Sequence, residues 1–321
     1  MAGRGAAGVV SSAILAGMPL VVTGTIGIDT VQTPHGGAEQ VMGGSCAYFA
    51  AAASFHAPVR VVAVVGGDWP EAHRQMLEGF ANVSLEGLEV RARGRTFAWG
   101  GKYFDNMNER ETLFTELGVL DEEPVKAPAA YADSDIVFLG NTHPAEQLNM
   151  LAQFPGRRIA VADTMDLWIN IAHDELMTLL GEVDGLVLND SEAEQLTGTP
   201  NAVSAGRKIL EMGPSWVVVK KGEHGCVLVH GEGLATLPAY PAEARQVVDP
   251  TGAGDSFAGG MMGHIASVGL MDFEAIQTAL AWGTVTASFT IESFSLDRLA
   301  SLTRDDIDAR MRMFRTAARI G

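Results

Sequence analysis

Short, almost wholly aliphatic runs alternate with helix-forming segments along most of this chain, and that rhythm is the strongest constraint on its fold. Leu20–Val22 and Val59–Val65 come first, followed by Ile136–Leu139, Ile159–Ala162, Leu186–Leu188 and Trp216–Val219. A strand with no polar face must be covered on both sides, which is the condition of a parallel sheet between two layers of helices. The helices are expected at Ser45–Phe55, Glu71–Phe80, Pro144–Gln153, His173–Leu180, Ser191–Leu196 and Val203–Glu211. Gly225–His230 and Leu234–Pro238 read as a hairpin on the sheet edge, and a long helical tail is expected from Ser256 to the end. The expected fold class is therefore α/β, with a doubly wound, mostly parallel sheet and helices on both faces.

One stretch breaks the rhythm. Between Arg91 and Leu117, Thr96–Phe104 and Glu111–Thr115 are strand-like runs around the polar turn Asp105–Arg110. Two strands alone bury little, so a small sheet projecting from the main body is expected. At the other end of the chain, no charged residue occurs between Arg4 and Asp29. Ala6–Ala16 has the apolar character of a signal-peptide core. Pro19 and the interspersed Gly and Ser residues weaken a helical span, however, and Leu20–Val22 is needed as the first strand. Residues 1–18 are accordingly expected to be a disordered extension, with Met18 as an alternative start, and 19–321 to be one domain.

Charge and cysteine count narrow the function. The net charge is 22 − 39 = −17, which repels nucleic acids and anionic membrane surfaces. No nucleic-acid or membrane partner is expected, and an anionic ligand must be held by a local site. Cys46 and Cys226, the two cysteines, make no disulfide framework and read as buried, reduced thiols of a cytoplasmic protein. The eight histidines show no transition-metal ligand spacing.

The chemistry concentrates in Asp249-Pro-Thr-Gly-Ala-Gly-Asp-Ser-Phe-Ala-Gly-Gly. Gly252 and Gly254 let the backbone turn tightly and aim successive N–H groups at one point, while Pro250 stiffens the turn. Asp255 and Ser256 then open a helix, whose N-terminus is a site for phosphate oxygens. A carboxylate there is expected to stay ionised and to take a proton from an attacking hydroxyl. The segment is neither a Walker loop nor a Rossmann fingerprint, since no GxxxxGK[ST] occurs and Gly24-Thr-Ile-Gly27 has the wrong spacing.

This segment resembles the C-terminal signature of the ribokinase-like, PfkB-type carbohydrate and nucleoside kinases, and the resemblance extends in motif order from about Leu20. It implies a ribokinase-like domain with a small β lid, formed here by about 36–44 and 91–117. It also implies transfer of the γ-phosphoryl group of ATP to a hydroxyl of a small molecule. By that resemblance Asp255 is the general base, and the Gly252, Ala253 and Gly254 amides form the anion hole. Asn189-Asp-Ser-Glu192 resembles the family's Asn-x-x-Glu motif, which organises Mg2+ partly through water. Lys220-Lys-Gly-Glu-His-Gly225 resembles the strand-end loop that approaches the nucleotide, through Lys220, Gly222 and Gly225. Asp29 resembles the acceptor-hydroxyl ligand, and Gly43-Gly44 the glycine pair that lets sugar approach the backbone. Tyr48 stands near an expected Asn, so the acceptor pocket is altered and the sugar's identity does not carry over. The resemblance also raises a monovalent cation, K+, near Asp249 and Thr251.

Asn141, His143 and Asp163 end two strands and are expected to border the same crevice, in substrate-contacting or structural roles. Candidate acceptors are a nucleoside, a free sugar or a cyclitol. A phosphorylated sugar is less favoured, although Arg91, Arg93, Arg95, Lys102 and Arg110 lie in the lid segment. The lid's free edges leave room for a homodimer. The alternative is a catalytically silent binding protein on the same fold, against which the intact Asp255, glycines and Asn189/Glu192 stand.

Overall fold

A computed structural model describes residues 17–243 and 246–319 of the chain. Thirteen strands occur among these: β1 Leu20–Thr23, β2 Gly27–Thr33, β3 Gly36–Gly43, β4 Val59–Gly66, β5 Val83–Arg91, β6 Phe97–Tyr103, β7 Arg110–Glu116, β8 Ile136–Leu139, β9 Ile159–Asp163, β10 Gly185–Asn189, β11 Trp216–Lys220, β12 Cys226–His230 and β13 Gly233–Leu237. The helices are α1 Ser45–Ala53, α2 Glu71–Glu78, α3 Pro144–Leu151, α4 Asp166–Ile171, α5 His173–Leu180, α6 Asp190–Thr197, α7 Ala202–Leu210, α8 Ala253–Val268, α9 Phe273–Thr290, α10 Asp297–Ala300 and α11 Arg304–Ala318.

The main sheet has nine strands in the order β13-β12-β11-β10-β9-β8-β1-β4-β5. Every neighbouring pair from β5 to β11 is parallel, and only the β11–β12–β13 edge is antiparallel. Alternate residues of one strand enter opposite cores. Trp216 and Val218 pack with Phe49, Met261, Val285 and Phe314 on one face. Val217 and Val219 pack with Leu176, Leu180 and Ile209 on the other. Both alternating sets are apolar because both faces are covered, which explains why the strands show no polar period. Chain order reverses at β1, between β4 and β8, so the crevice at the strands' carboxyl ends is the topological switch point where α/β folds bind ligands.

The helix layer under that crevice is unusually close-packed. A side-chain carbon at Gly259 would lie 2.3 Å from the Phe49 carbonyl oxygen, and one at Gly263 2.8 Å from that of Ala53. Small residues on α8 therefore seat it directly on the Ala-rich helix α1.

A second sheet of four strands, in the order β3-β2-β6-β7, stands beside the main one. It takes in β2, which the aliphatic rhythm does not reveal because its residues alternate between buried and half-exposed. Arg91, at the start of the expected lid segment, closes β5 in the main sheet instead. The expected helical tail is four helices, broken where Gly269 and Ser295 adopt left-handed conformations, φ 71° and 55°, and again at 301–303. Residues 1–16 of the expected extension lie outside the described residues. Met18, by contrast, is core: its N–H donates to the Ala266 carbonyl at 2.9 Å. Cys46 and Cys226 are buried and free. Among the described residues no helix is long and apolar enough to cross a membrane.

Candidate active site

The glycine turn sits between β13 and α8, with Gly252 in a left-handed conformation, φ 73°, as the residue that caps α8. A side chain at 252 would lie 2.3 Å from the Tyr48 ring. Tyr48 is buried in α1 and supports the turn from beneath, a structural place the sequence reading of it as an acceptor contact did not anticipate. Gly254 has a different reason. Its own conformation is helical, but a side-chain carbon there would lie 2.9 Å from Lys220 Nζ. Asp255 lies in the first turn of α8, where backbone N–H groups lack helical partners.

Three acids and one ammonium meet beside this turn. Lys220, at the end of β11, brings Nζ to 3.8 Å from Asp163 Oδ2 at the end of β9. Burial pulls the Lys220 pKa down, but the charges of Asp163, Glu192 and Asp255 outweigh it and hold the ammonium protonated. The partner does not mirror this: Asp163 is raised, because burial exceeds the help it draws from Lys220. Three carboxylates share one cation, and Lys220 stays firmly charged beside Asp163. Asp255 is pushed up to about 7 by burial and then by the Asp163 charge, with Lys220 opposing. The expectation of a fully ionised carboxylate at the helix end is thus modified by its neighbours.

Asn189 and Glu192 form a capping box on α6: Glu192 N–H donates to Asn189 Oδ1 at 2.8 Å, and Asn189 N–H to Glu192 Oε2 at 2.7 Å. The capping role and a crevice role coexist, because Glu192 is raised to about 7 by burial and by Asp163. Its second oxygen accepts no hydrogen bond among the described residues, which fits a cation that keeps most of its waters. Asp249 is fully buried. Its Oδ1 accepts the Thr251 N–H at 2.8 Å, and its Oδ2 has no partner among the described residues.

Asp29 lies on β2 opposite β3, and its carboxylate occupies the space that a side chain at Gly43 would need. Gly43 therefore admits this carboxylate, and Gly44 takes φ 93° against the Thr25 carbonyl. Asp29 Oδ1 is buried without a partner among the described residues, and burial with the charges of Asp249 and Asp255 lifts the group to about 8. Asn141 is engaged elsewhere: its Oδ1 accepts Trp168 Nε1–H at 2.8 Å, and the His143 ring stands 5.1 Å from the Trp168 ring. Gly222 is left-handed, φ 53°, and faces Asn108 of the small sheet's turn, whereas Gly225 presses on the Leu237 carbonyl, where no side chain fits. Arg110 opens β7, lies 5.7 Å over the Trp99 ring, and extends its charge to Glu192 and Asp255.

Sequence reasoning thus marked Asp255, Lys220, Glu192 and Asp163 singly, and the structure gathers them. It did not pair Lys220 with Asp163, although the signal was present, since each ends an aliphatic run. Trp168 and the inward role of Arg110 carried no such signal.

The pattern of the pfkB family carbohydrate kinases matches residues 29–301. The chain is similar to the cytidine kinase of Thermococcus kodakarensis, 31% identical over 252 residues that span 76% of this chain and 87% of the relative. The nucleoside kinase of Methanocaldococcus jannaschii, an archaeal member of the ribokinase family, superposes with a TM-score of 0.74 at 20% identity, covering 93% of this chain and 99% of its own. An Escherichia coli protein assigned to ribokinase II, solved with ATP and Mg2+, gives a TM-score of 0.75 at 17% identity, covering 92% and 99%. Those two likenesses show a ribokinase-like fold. Taken with the family pattern over most of its length, they place a fold, a sequence signature and a relative on one answer: the chain belongs to the pfkB family of carbohydrate kinases and is a phosphotransferase.

Proposed function

We propose that this chain transfers the γ-phosphoryl group of ATP to a hydroxyl of a small acceptor, with Asp255 as general base and the Gly252, Ala253 and Gly254 amides as anion hole. The observation that carries it is Asp255 in the first turn of α8, behind a left-handed Gly252 and beside the Lys220 ammonium. Asp255 accepts the hydroxyl proton, the freed oxygen bonds to phosphorus, and the bond to the bridging oxygen breaks to release ADP. Asp29 holds a neighbouring acceptor hydroxyl with its unpartnered oxygen. A nucleoside is the first acceptor to test, cytidine foremost, because a cytidine kinase covers three quarters of this chain by similarity.

The uncommitted oxygen of Glu192, with Asn189, supports a Mg2+ site bound partly through water; the metal supplies neutralisation of triphosphate charge. The unpartnered Asp249 Oδ2 near Thr251 supports a K+ site. Full turnover in EDTA would remove the first, and equal rates in sodium and potassium the second. The small sheet acts as a lid over the acceptor, and its free edges pair with a second copy.

The test is ADP release over a panel of nucleosides, free sugars and cyclitols. Asp255→Asn should lower turnover by about 10²–10⁴ while ATP still binds. Wild-type kcat/KM should fall on the acid side with a midpoint near 7, because Asp255 is protonated, and no longer a base, below its raised pKa. Near-normal turnover in the Asn variant would show that another group takes the proton.

A further inference from the structure

We infer that Lys220 is a catalytic cation of the transfer step, its ammonium standing at the glycine turn to meet the charged equatorial oxygens of the phosphoryl group in flight. The inference rests on the kinase reading above and adds to it a residue aimed at the reacting atoms. An outer nucleotide loop is where its sequence context alone would put this lysine.

Three observations carry it. Nζ lies in contact range of Gly254, 2.9 Å from where a side-chain carbon would be, so the second glycine of the turn leaves room for a cation. Nζ is 3.8 Å from Asp163 Oδ2, beyond hydrogen-bond distance, and it donates no hydrogen bond to any acceptor among the described residues. Its three N–H donors are therefore available although its side chain is only 16% exposed. A lysine serving only to neutralise Asp163 would close to about 2.7–2.9 Å, the separation of a charge-assisted hydrogen bond. Instead it stands between Asp163 and the turn, with Glu192 and Asp255 also felt as charges.

A fixed, poorly hydrated cation at this point favours the transition state over the bound nucleotide, because the charged equatorial oxygens swing to it only as the phosphoryl group flattens and moves in line towards the acceptor. No atom is exchanged with Lys220, which remains protonated throughout.

The experiment compares Lys220→Met, Lys220→Arg and the double variant Asp163→Asn/Lys220→Met. Turnover is measured with whichever acceptor of the panel the wild type uses fastest. Calorimetric binding is measured for Mg·ADP alone and for Mg·ADP with aluminium fluoride and that acceptor. Lys220→Met should lower kcat by about 10²–10³ with KM for ATP within about threefold. It should weaken the fluoride complex by roughly 30-fold or more while leaving ADP within about threefold, the signature of differential binding. Lys220→Arg should recover at least about tenfold in kcat, through retained charge. If Asp163, left without its cation, unfolds the single variant, the neutral double variant should fold and stay slow. Equal weakening of ADP and the fluoride complex would make Lys220 a nucleotide anchor and overturn the inference. So would recovery of wild-type turnover by the double variant, which would make Lys220 a counter-ion to Asp163 alone. A wild type that turns over no acceptor would instead refute the kinase reading itself.

Discussion

At Asp255 two opposing effects can be weighed. A helix N-terminus stabilises a carboxylate by at most about 2 kcal/mol. The rise from an ordinary 3.8 to about 7 corresponds to roughly 4 kcal/mol in the other direction. Burial and the Asp163 charge therefore win, and the carboxyl titrates near neutrality, where the proposed base would have to work. Asp29 lies further along the same path, at about 8, from burial first and then Asp249 and Asp255. Its folded-state pKa is above its unfolded one, so its contribution to stability is complete below about pH 4 and lost as pH rises through 8. Asp29→Asn removes that loss. In ligand-free thermal melts between pH 5 and 8.5, the wild-type Tm should fall relative to the variant, while the variant's KM for the acceptor rises about three- to tenfold as the hydrogen bond from a neutral carboxyl is lost. Parallel Tm curves would mean that Asp29 is not the buried, unpartnered acid described above. The glycine signature made Asp255 legible in the sequence, but crowding among Asp29, Asp249 and Asp255 was not, because it arises from three segments meeting.

The same division runs through the elements. β8–β11 are legible because both faces are covered and every residue is apolar except the strand-ending Asp163, Asn189 and Lys220. β2 is not, because its burial alternates along Gly27–Thr33. Nor is the break of the tail at Ser295, a non-glycine residue in a left-handed conformation whose Oγ–H donates to the Met42 carbonyl at 2.6 Å. That bond ties the C-terminal region to β3 of the small sheet, and the turn between β6 and β7 reaches Gly222 through Asn108. The hairpin thus spans from the acceptor side to the strand-end loop. Replacing 105–109 with two glycines should leave the circular dichroism of the core intact, because β7 is exposed along its whole length. Acceptor KM should rise and ATP hydrolysis without acceptor should increase, since an incomplete cover admits water as the competing nucleophile. Loss of the helical signal would instead make this hairpin part of the core.

For the whole molecule, charge and surface pattern act against each other. A net charge of −17 sets two copies in mutual repulsion at low ionic strength. The small sheet nevertheless ends in two edges, β3 and β7, whose outer backbone groups have no strand partner among the described residues. On β7 the uncharged run Thr112–Thr115 exposes Leu113 and Phe114 at 44% and 38%, with Phe104 and Leu117 exposed at either end of the hairpin. Glu111 and Glu116 flank that run and limit open-ended pairing, as charged residues on edge strands do. Pairing of small sheets between two copies would cover the apolar run and join edges while leaving each crevice facing its own main sheet. Because the opposing term is long-range repulsion, screened over ~10 Å at 0.1 M salt and ~3 Å at 1 M, association should strengthen with salt. Sedimentation velocity should show a larger dimer fraction at high than at low ionic strength. Leu113→Lys/Phe114→Glu should give a monomer at both with an unchanged Tm, because these side chains are already exposed. A monomer at every salt and protein concentration would leave the small sheet as a lid alone, and a dimer that survives the double substitution would move the interface elsewhere.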